Sequence, residues 1–261
     1  MRPNRAKRKI KAGQVALGCF VHFTAPNFVE ACAAAGVDYV MFDCEHWDIT
    51  LDGMVQMVRA AELYDITCTA RIPLHDRHLI SQALDAGLQG VMVPHCNTAE
   101  DARAVVNIVK FPPMGHRGIH ARGRPTRMGT SMATAEYVRA ANEETLVICM
   151  CEEMTAVKNL DSIIAVPGVD VIEIGPGDLG ASMGYPPRAE VDRVCDEVYQ
   201  KLRQAGVPWG RAGVTLDPES LRTLASKGGR YLTIGATELV MSALRPLVET
   251  VRSLNASAPS R

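Results

Sequence analysis

What most constrains this chain is a rhythm: a short apolar run, a turn signal, an amphipathic stretch, a helix stop, then the next apolar run. The runs read as buried strands over residues 14–22, 38–45, 66–72, 90–95, 145–151, 169–174, 209–215 and 231–234. Helical periodicity follows them over residues 27–35, 50–63, 75–86, 98–110, 134–141, 155–164, 190–204, 218–226 and 238–254. Pro26 opens the first of these helices, and Gly36, Gly87 and Gly228 stop theirs. A basic helix over residues 4–11 precedes the first strand. Strands and helices alternating eight times in about 250 residues predict an α/β chain folded as a (β/α)8 TIM barrel. A doubly wound open sheet would carry a Gly-rich phosphate loop after its first strand, and Cys19 to Pro26 holds none. The expected organisation is a single domain over residues 1–261, with a short N-terminal helix at 1–12 and a polar tail at 255–261.

Composition narrows the function. A net charge of −1 offers no basic face for nucleic acid. No apolar run reaches membrane-spanning length, and the basic N-terminus lacks a signal-peptide core. The simplest expectation is a soluble cytoplasmic protein that binds neither nucleic acid nor membrane. Eight cysteines lie singly in apolar stretches without CxxC spacing, so they read as small reduced core residues. Cys149 and Cys151, two apart on a strand, would face the same way.

In such a barrel the chemistry sits at the C-terminal ends of the strands. Asp43-Cys44-Glu45-His46 closes the second strand, Arg71 the third, Pro94-His95 the fourth and Glu152-Glu153 the fifth. Gly175-Pro176-Gly177-Asp178 follows the sixth, while the last two offer mainly Thr215, Asp217 and Thr237. Buried charge must be met by a partner, a metal or a substrate. Glu152 and Asp178 suit a hard divalent cation, which takes one or two protein carboxylates and leaves its other positions to water and substrate. His46 suits an acid/base, because an imidazole exchanges protons near neutral pH. Arg71 suits a substrate carboxylate or an enolate oxygen. The Gly-Pro-Gly-Asp turn presents backbone N–H groups at a helix start, ready for an anion.

The chain resembles the HpcH/HpaI family of metal-dependent (class II) pyruvate aldolases. The resemblance runs from about Gly13 to Leu247 and rests on several stretches. These are Phe42-Asp43-Cys44-Glu45-His46, Ala70-Arg71, Gln82 to Gly87, Val93-Pro94, Pro112-Pro113-Met114-Gly115-His116-Arg117-Gly118, Glu152, and Ile174 to Leu179. It implies Glu152 and Asp178 as metal ligands for Mg²⁺, Mn²⁺ or Co²⁺, and His46 as catalytic base with Asp85 orienting it. It also implies Arg71 as binder of pyruvate and its enolate, the amides of Gly177 and Asp178 after Pro176 as carboxylate seat, and Glu45 as an acid beside metal-bound water. The implied reaction is reversible aldol cleavage of a 4-hydroxy-2-oxoacid to pyruvate and an aldehyde through a metal-bound enolate. The implied assembly is a homo-oligomer, a trimer or hexamer, with residues 238–254 packed on a neighbouring subunit; barrel packing is the competing reading of that helix.

Three departures from the family pattern stand out. Met150 takes the place of the usual Gln two residues before the metal-binding Glu, and a thioether donates no hydrogen bond to a bound oxyacid. That leaves open a changed donor, or oxaloacetate decarboxylase or macrophomate-synthase-like enolate chemistry. A CoA-thioester C–C lyase related to the citrate lyase β-subunit is the other alternative, though nothing here resembles a nucleotide seat. Cys44 and His120 replace small residues and are expected to crowd the site entrance. Finally, a loop over residues 111–129 gathers His116, Arg117, His120, Arg122, Arg124 and Arg127. The expectation is that Arg122 and Arg124, with Arg117, meet an acidic acceptor aldehyde, unless the loop is solvated or contacts another subunit.

Overall fold

The structure, a computed structural model, describes residues 1–256. Eight parallel strands pair in chain order and the last returns to the first, closing a barrel. They are β1 (Ala16–Val21), β2 (Tyr39–Asp43), β3 (Thr67–Arg71), β4 (Gly90–Val93), β5 (Leu146–Cys151), β6 (Val171–Ile174), β7 (Trp209–Arg211) and β8 (Gly229–Gly235). The helices are α1 (Arg5–Lys11), α2 (Pro26–Ala34), α3 (Leu51–Glu62), α4 (Arg77–Ala86), α5 (Ala99–Val109) and α6 (Thr134–Glu144). They continue with α7 (Met154–Lys158), α8 (Leu160–Ile164), α9 (Pro176–Ser182), α10 (Arg188–Gln204), α11 (Pro218–Ser226) and α12 (Ala236–Ala256). None of the described helices is long and apolar enough to cross a membrane.

Local chemistry explains most boundaries. Thr50 Oγ1 accepts the Gly53 N–H at the start of α3, and Thr98 with Asp101 forms a reciprocal capping box on α5. Gly87, at φ +115°, ends α4 in the left-handed conformation that favours glycine. The helix expected over 155–164 is instead two, α7 and α8, broken at Asn159, whose side chain donates to the Asn97 carbonyl at 2.9 Å. The seventh strand is shorter than expected, and a helix not foreseen in full, α9, follows β6. Of the expected tail, Asn255 and Ala256 end α12, and 257–261 lie outside the described residues.

Strand alternation divides the core into two layers. Val40, Phe42, Cys149 and Cys151 join the outer layer against the helices, while Tyr39, Met41, Ile148 and Met150 fill the barrel. All eight cysteines are free, and all but Cys44 are buried. Inside, Tyr39 and Tyr231 stack at 4.0 Å, and Gly18 faces the Tyr39 ring where any Cβ would collide. Tyr39 Oη bonds Thr233 Oγ1 at 2.6 Å, and Tyr231 Oη bonds Thr69 Oγ1 at 2.9 Å. Helix α1 closes the strand-start end: Ala6 and Ile10 enter the inner layer, and Lys7 Nζ donates to the Thr145 carbonyl at 2.7 Å and to Asp170 at 2.8 Å.

One helix leaves its apolar face outside. On α12, Ala236 and Leu239 pack on the barrel, but Leu244, Leu247 and Val251 are 51, 64 and 55 % exposed, so the apolar face beyond the first turns lies off it.

Glu173 is the anomaly of the interior. It is completely buried, and neither carboxyl oxygen has a hydrogen-bond partner. Burial pushes its pKa far up and Glu152 adds to that, outweighing Arg71 and Arg211. A carboxyl whose folded pKa is raised loses stability as pH climbs from its unfolded value towards the folded one. Glu173→Gln should therefore become steadily more stable relative to the parent as pH rises from 5 towards 8. Urea unfolding at both pH values measures this, and a flat difference would mean that Glu173 is ionised and compensated.

Candidate active site

The strand-finish end of the barrel gathers carboxylates. Asp43 ends β2, and Glu45 lies two residues on, facing the same way. Arg71, at the end of β3, binds both acids. Its Nε and Nη2 meet Asp43 at 3.0 and 2.7 Å, and Nε lies 3.1 Å from Glu45. The guanidinium also sits 4.9 Å over the Phe20 ring. Burial opposes the charge on Arg71, but the Asp43 hydrogen bonds and the charges of Asp43, Glu45 and Glu152 outweigh it and raise the pKa. Glu152, just beyond β5, is almost fully buried. Its Oε1 accepts the His95 amide at 2.8 Å, and its other oxygen packs against Gly175. Burial raises the Glu152 pKa; the His95 amide and ring oppose the rise, and Asp178 and Glu45 add to it.

Two imidazoles flank this cluster. His46 Nε2 lies 3.6 Å from one Glu45 oxygen, and His95 Nε2 lies 3.6 Å from the other. His95 Nδ1 bonds Glu153 at 2.8 Å. Burial works against protonation of His95, but Glu153, Glu152 and Glu45 raise its pKa on balance. Asp178 stands exposed on the first turn of α9, and its charge adds to the rise at Glu152. Met150 Cε lines the same floor beside Gly175.

The family model for HpcH/HpaI aldolase/citrate lyase matches residues 16–243. The chain belongs to the HpcH/HpaI family. A hydroxypyruvate/pyruvate aldolase from Sagittula stellata is 34 % identical over 234 residues, covering 88 % of this chain and 90 % of that protein. A 4-hydroxy-2-oxovalerate aldolase from Novosphingobium aromaticivorans is 35 % identical over 237 residues, covering 89 and 88 %. The crystal structure of an HpcH/HpaI aldolase from Desulfitobacterium hafniense superposes with a TM-score of 0.87 at 29 % identity, covering 97 % of each chain. These relatives place the HpcH/HpaI chain among carbon–carbon lyases of the aldolase kind.

In this HpcH/HpaI chain, then, Glu45, His46, Arg71, Met150, Glu152, Gly175 and Asp178 come together at one end. Asp85 does not. It lies in the last turn of α4, which leads through Gly87 to the start of β4, so the height of the barrel separates it from His46. There it pairs with Arg117 at 2.6 Å, and the buried Arg117 guanidinium stacks 4.6 Å over Phe111. Arg124 bonds Glu62 and the Ala86 carbonyl at that same end, and Arg122 is exposed in the same loop. The basic loop therefore meets no acceptor at its own chain's site. His120 lies in that loop beside Gly123, not at the site entrance, and Cys44 turns outward, its Sγ 3.7 Å from Met54 Sδ. The His46–Asp85 pair and the Arg117, Arg122 and Arg124 contacts are not formed within one chain.

Sequence reasoning named Asp43 and His95 at strand ends without giving them a role, and passed over Phe20 and His22. The signal for Asp43 was its two-residue spacing from Glu45. His22 stacks on Trp47 at 5.2 Å and bonds Thr237 at 3.0 Å, and burial lowers its pKa. Among the described residues no three His, Cys, Asp or Glu side chains form a closed metal cage. The donors present are carboxylates, as a hard cation held partly by water and substrate requires.

Gly175 tests how tightly Glu152 is held. A Cβ there would lie 2.7 Å from Glu152 Oε2 and 2.8 Å from its Cβ. Gly175→Ala should leave the fold intact by circular dichroism while lowering activity by about 10–100-fold. Unchanged kinetics would show that the Glu152 position is not critical.

Proposed function

We propose that this chain is a divalent-metal-dependent aldolase that reversibly cleaves a 4-hydroxy-2-oxoacid to pyruvate and an aldehyde. The observation that carries this is Glu152, a buried carboxylate coupled to Asp178, beside an Arg71 already held by two acids. No lysine or arginine pairs with Glu152 among the described residues, so its negative charge is available to a cation. Glu152 and Asp178 would hold that Mg²⁺, Mn²⁺ or Co²⁺ ion, which when bound supplies Lewis acidity to an oxyacid.

The chain's own groups supply the rest. Asp43 and Glu45 occupy Nε and Nη2 of Arg71, which leaves Nη1 to meet a developing oxyanion. His46 takes the proton from the 4-hydroxyl; the C3–C4 bond breaks, the aldehyde leaves, and the electron pair passes to the 2-oxo group as the pyruvate enolate. The proton held on His46 then passes to C3 and gives pyruvate. Glu45, 3.6 Å from His46, lies close enough to stabilise the imidazolium that forms there. The amides of Gly177 and Asp178, following Pro176, would take the substrate carboxylate, and Met150 forms an apolar floor where a donor would bind oxygen more strongly. That floor favours testing oxaloacetate decarboxylation beside aldol cleavage.

We place the protein in the cytoplasm, in keeping with eight free cysteines. It assembles as a homo-oligomer, a trimer or hexamer, in which the exposed apolar face of α12 is covered by a second copy. Leu247→Glu with Val251→Glu should lower the mass seen by analytical ultracentrifugation, and an unchanged mass would rule out this helix as the interface.

The central test is exchange of pyruvate methyl protons in D₂O, followed by NMR. Exchange should require added Mg²⁺, Mn²⁺ or Co²⁺, stop with chelator, and fall by about 10²–10⁴-fold in His46→Ala. Absence of exchange with every metal would overturn the aldolase reading.

A further inference from the structure

The cleavage just described leaves one imidazole of the site without a task. His95 is fixed at two points. Its amide is bound by Glu152, and its Nδ1 by Glu153, each at 2.8 Å. Its backbone lies in the left-handed region at φ +54°, a conformation that few residues other than glycine adopt. The ring is 55 % exposed at the mouth. Its remaining nitrogen, Nε2, stops 3.6 Å from Glu45 Oε1, beyond hydrogen-bond reach. His46 Nε2 stands off the other Glu45 oxygen by the same 3.6 Å. One carboxylate thus lies between two imidazoles and is bonded to neither, while the catalytic base stands on its far side.

We propose that His95 is the specificity-determining residue for the aldehyde half of the substrate, reading with Glu45 a hydroxyl on the carbon next to the aldehyde carbon. This rests on the aldolase reading above. A hydroxyl is one donor and two acceptor sites in a single atom. It satisfies Nε2 whether that nitrogen carries a proton or not, and Glu45 can take its hydrogen. A methyl group of the same size meets neither partner and leaves polar groups unpaired on closure. The rigid mounting of His95 is what makes it discriminating, because a ring held at Nδ1 and at its own amide cannot swing away from the wrong substrate.

The test is aldol addition of pyruvate to glycolaldehyde and to propanal, which have the same number of heavy atoms and differ in hydroxyl against methyl. The parent enzyme should prefer glycolaldehyde by about 10–100-fold in kcat/KM. His95→Asn tolerates the left-handed backbone and keeps a nitrogen or oxygen near the Nδ1 position, but has nothing at Nε2. It should lose the preference through a raised KM for glycolaldehyde, and that loss should exceed any loss in addition to propanal or in pyruvate proton exchange. His95→Gln, which restores a polar group near Nε2, should recover part of the preference. Two results would overturn the proposal: equal preference in the parent and His95→Asn, or pyruvate exchange falling in step with addition, which would make His95 only a prop for Glu152. Exchange without discrimination in the parent sinks this inference alone; no exchange with any metal sinks the aldolase reading and this inference with it.

Discussion

Asp43, Glu45, Glu152 and Glu153 come from two strand ends of one closed barrel, and bringing them together costs Coulomb repulsion that nearby cations must relieve. Arg71 relieves the β2 side by bonding Asp43 and Glu45 together. His95 relieves the β5 side through its amide and ring. What remains is a buried carboxylate with a second acid, Asp178, coupled to it. The arrangement is polarised by construction: one flank is neutralised by Arg71, while on the other no lysine or arginine pairs with Glu152 among the described residues.

The fold was largely legible because its punctuation is local. Helix stops such as Gly87 and caps such as Thr98 act within a few residues, and apolar runs between them leave little choice but buried parallel strands. Where the reading failed, the cause was a contact distant in sequence. Asn159 breaks a helix through a carbonyl 62 residues away. The exposed face of α12 has the periodicity of a core helix, and periodicity does not say what covers it.

The site divides in the same manner. Glu45, Arg71 and Glu152 were readable because strand ends in a barrel share one rim. Asp85 belongs to a familiar stretch, but it sits at the end of a helix, and in a βα unit that end faces the opposite rim from the strand's finish. The contacts expected of Arg122 and Arg124 are not formed within one chain for the same reason, since their loop links α5 to the helix before β5 at the strand-start end. His95 was visible as a strand-end residue, yet its importance depends on a backbone angle and on Glu153, neither of which any spacing encodes.

Helix α1 has a consequence for the order in which the molecule is made. Its closing contacts reach Thr67, Gln89, Thr145 and Asp170. During synthesis α1 therefore cannot complete these contacts until Asp170, 163 residues beyond Lys7, has followed it. The run of Arg5, Lys7, Arg8, Lys9 and Lys11 keeps that waiting segment solvated. The plug that seals the finished barrel is thus made before the strands it seals and can complete its contacts only after them.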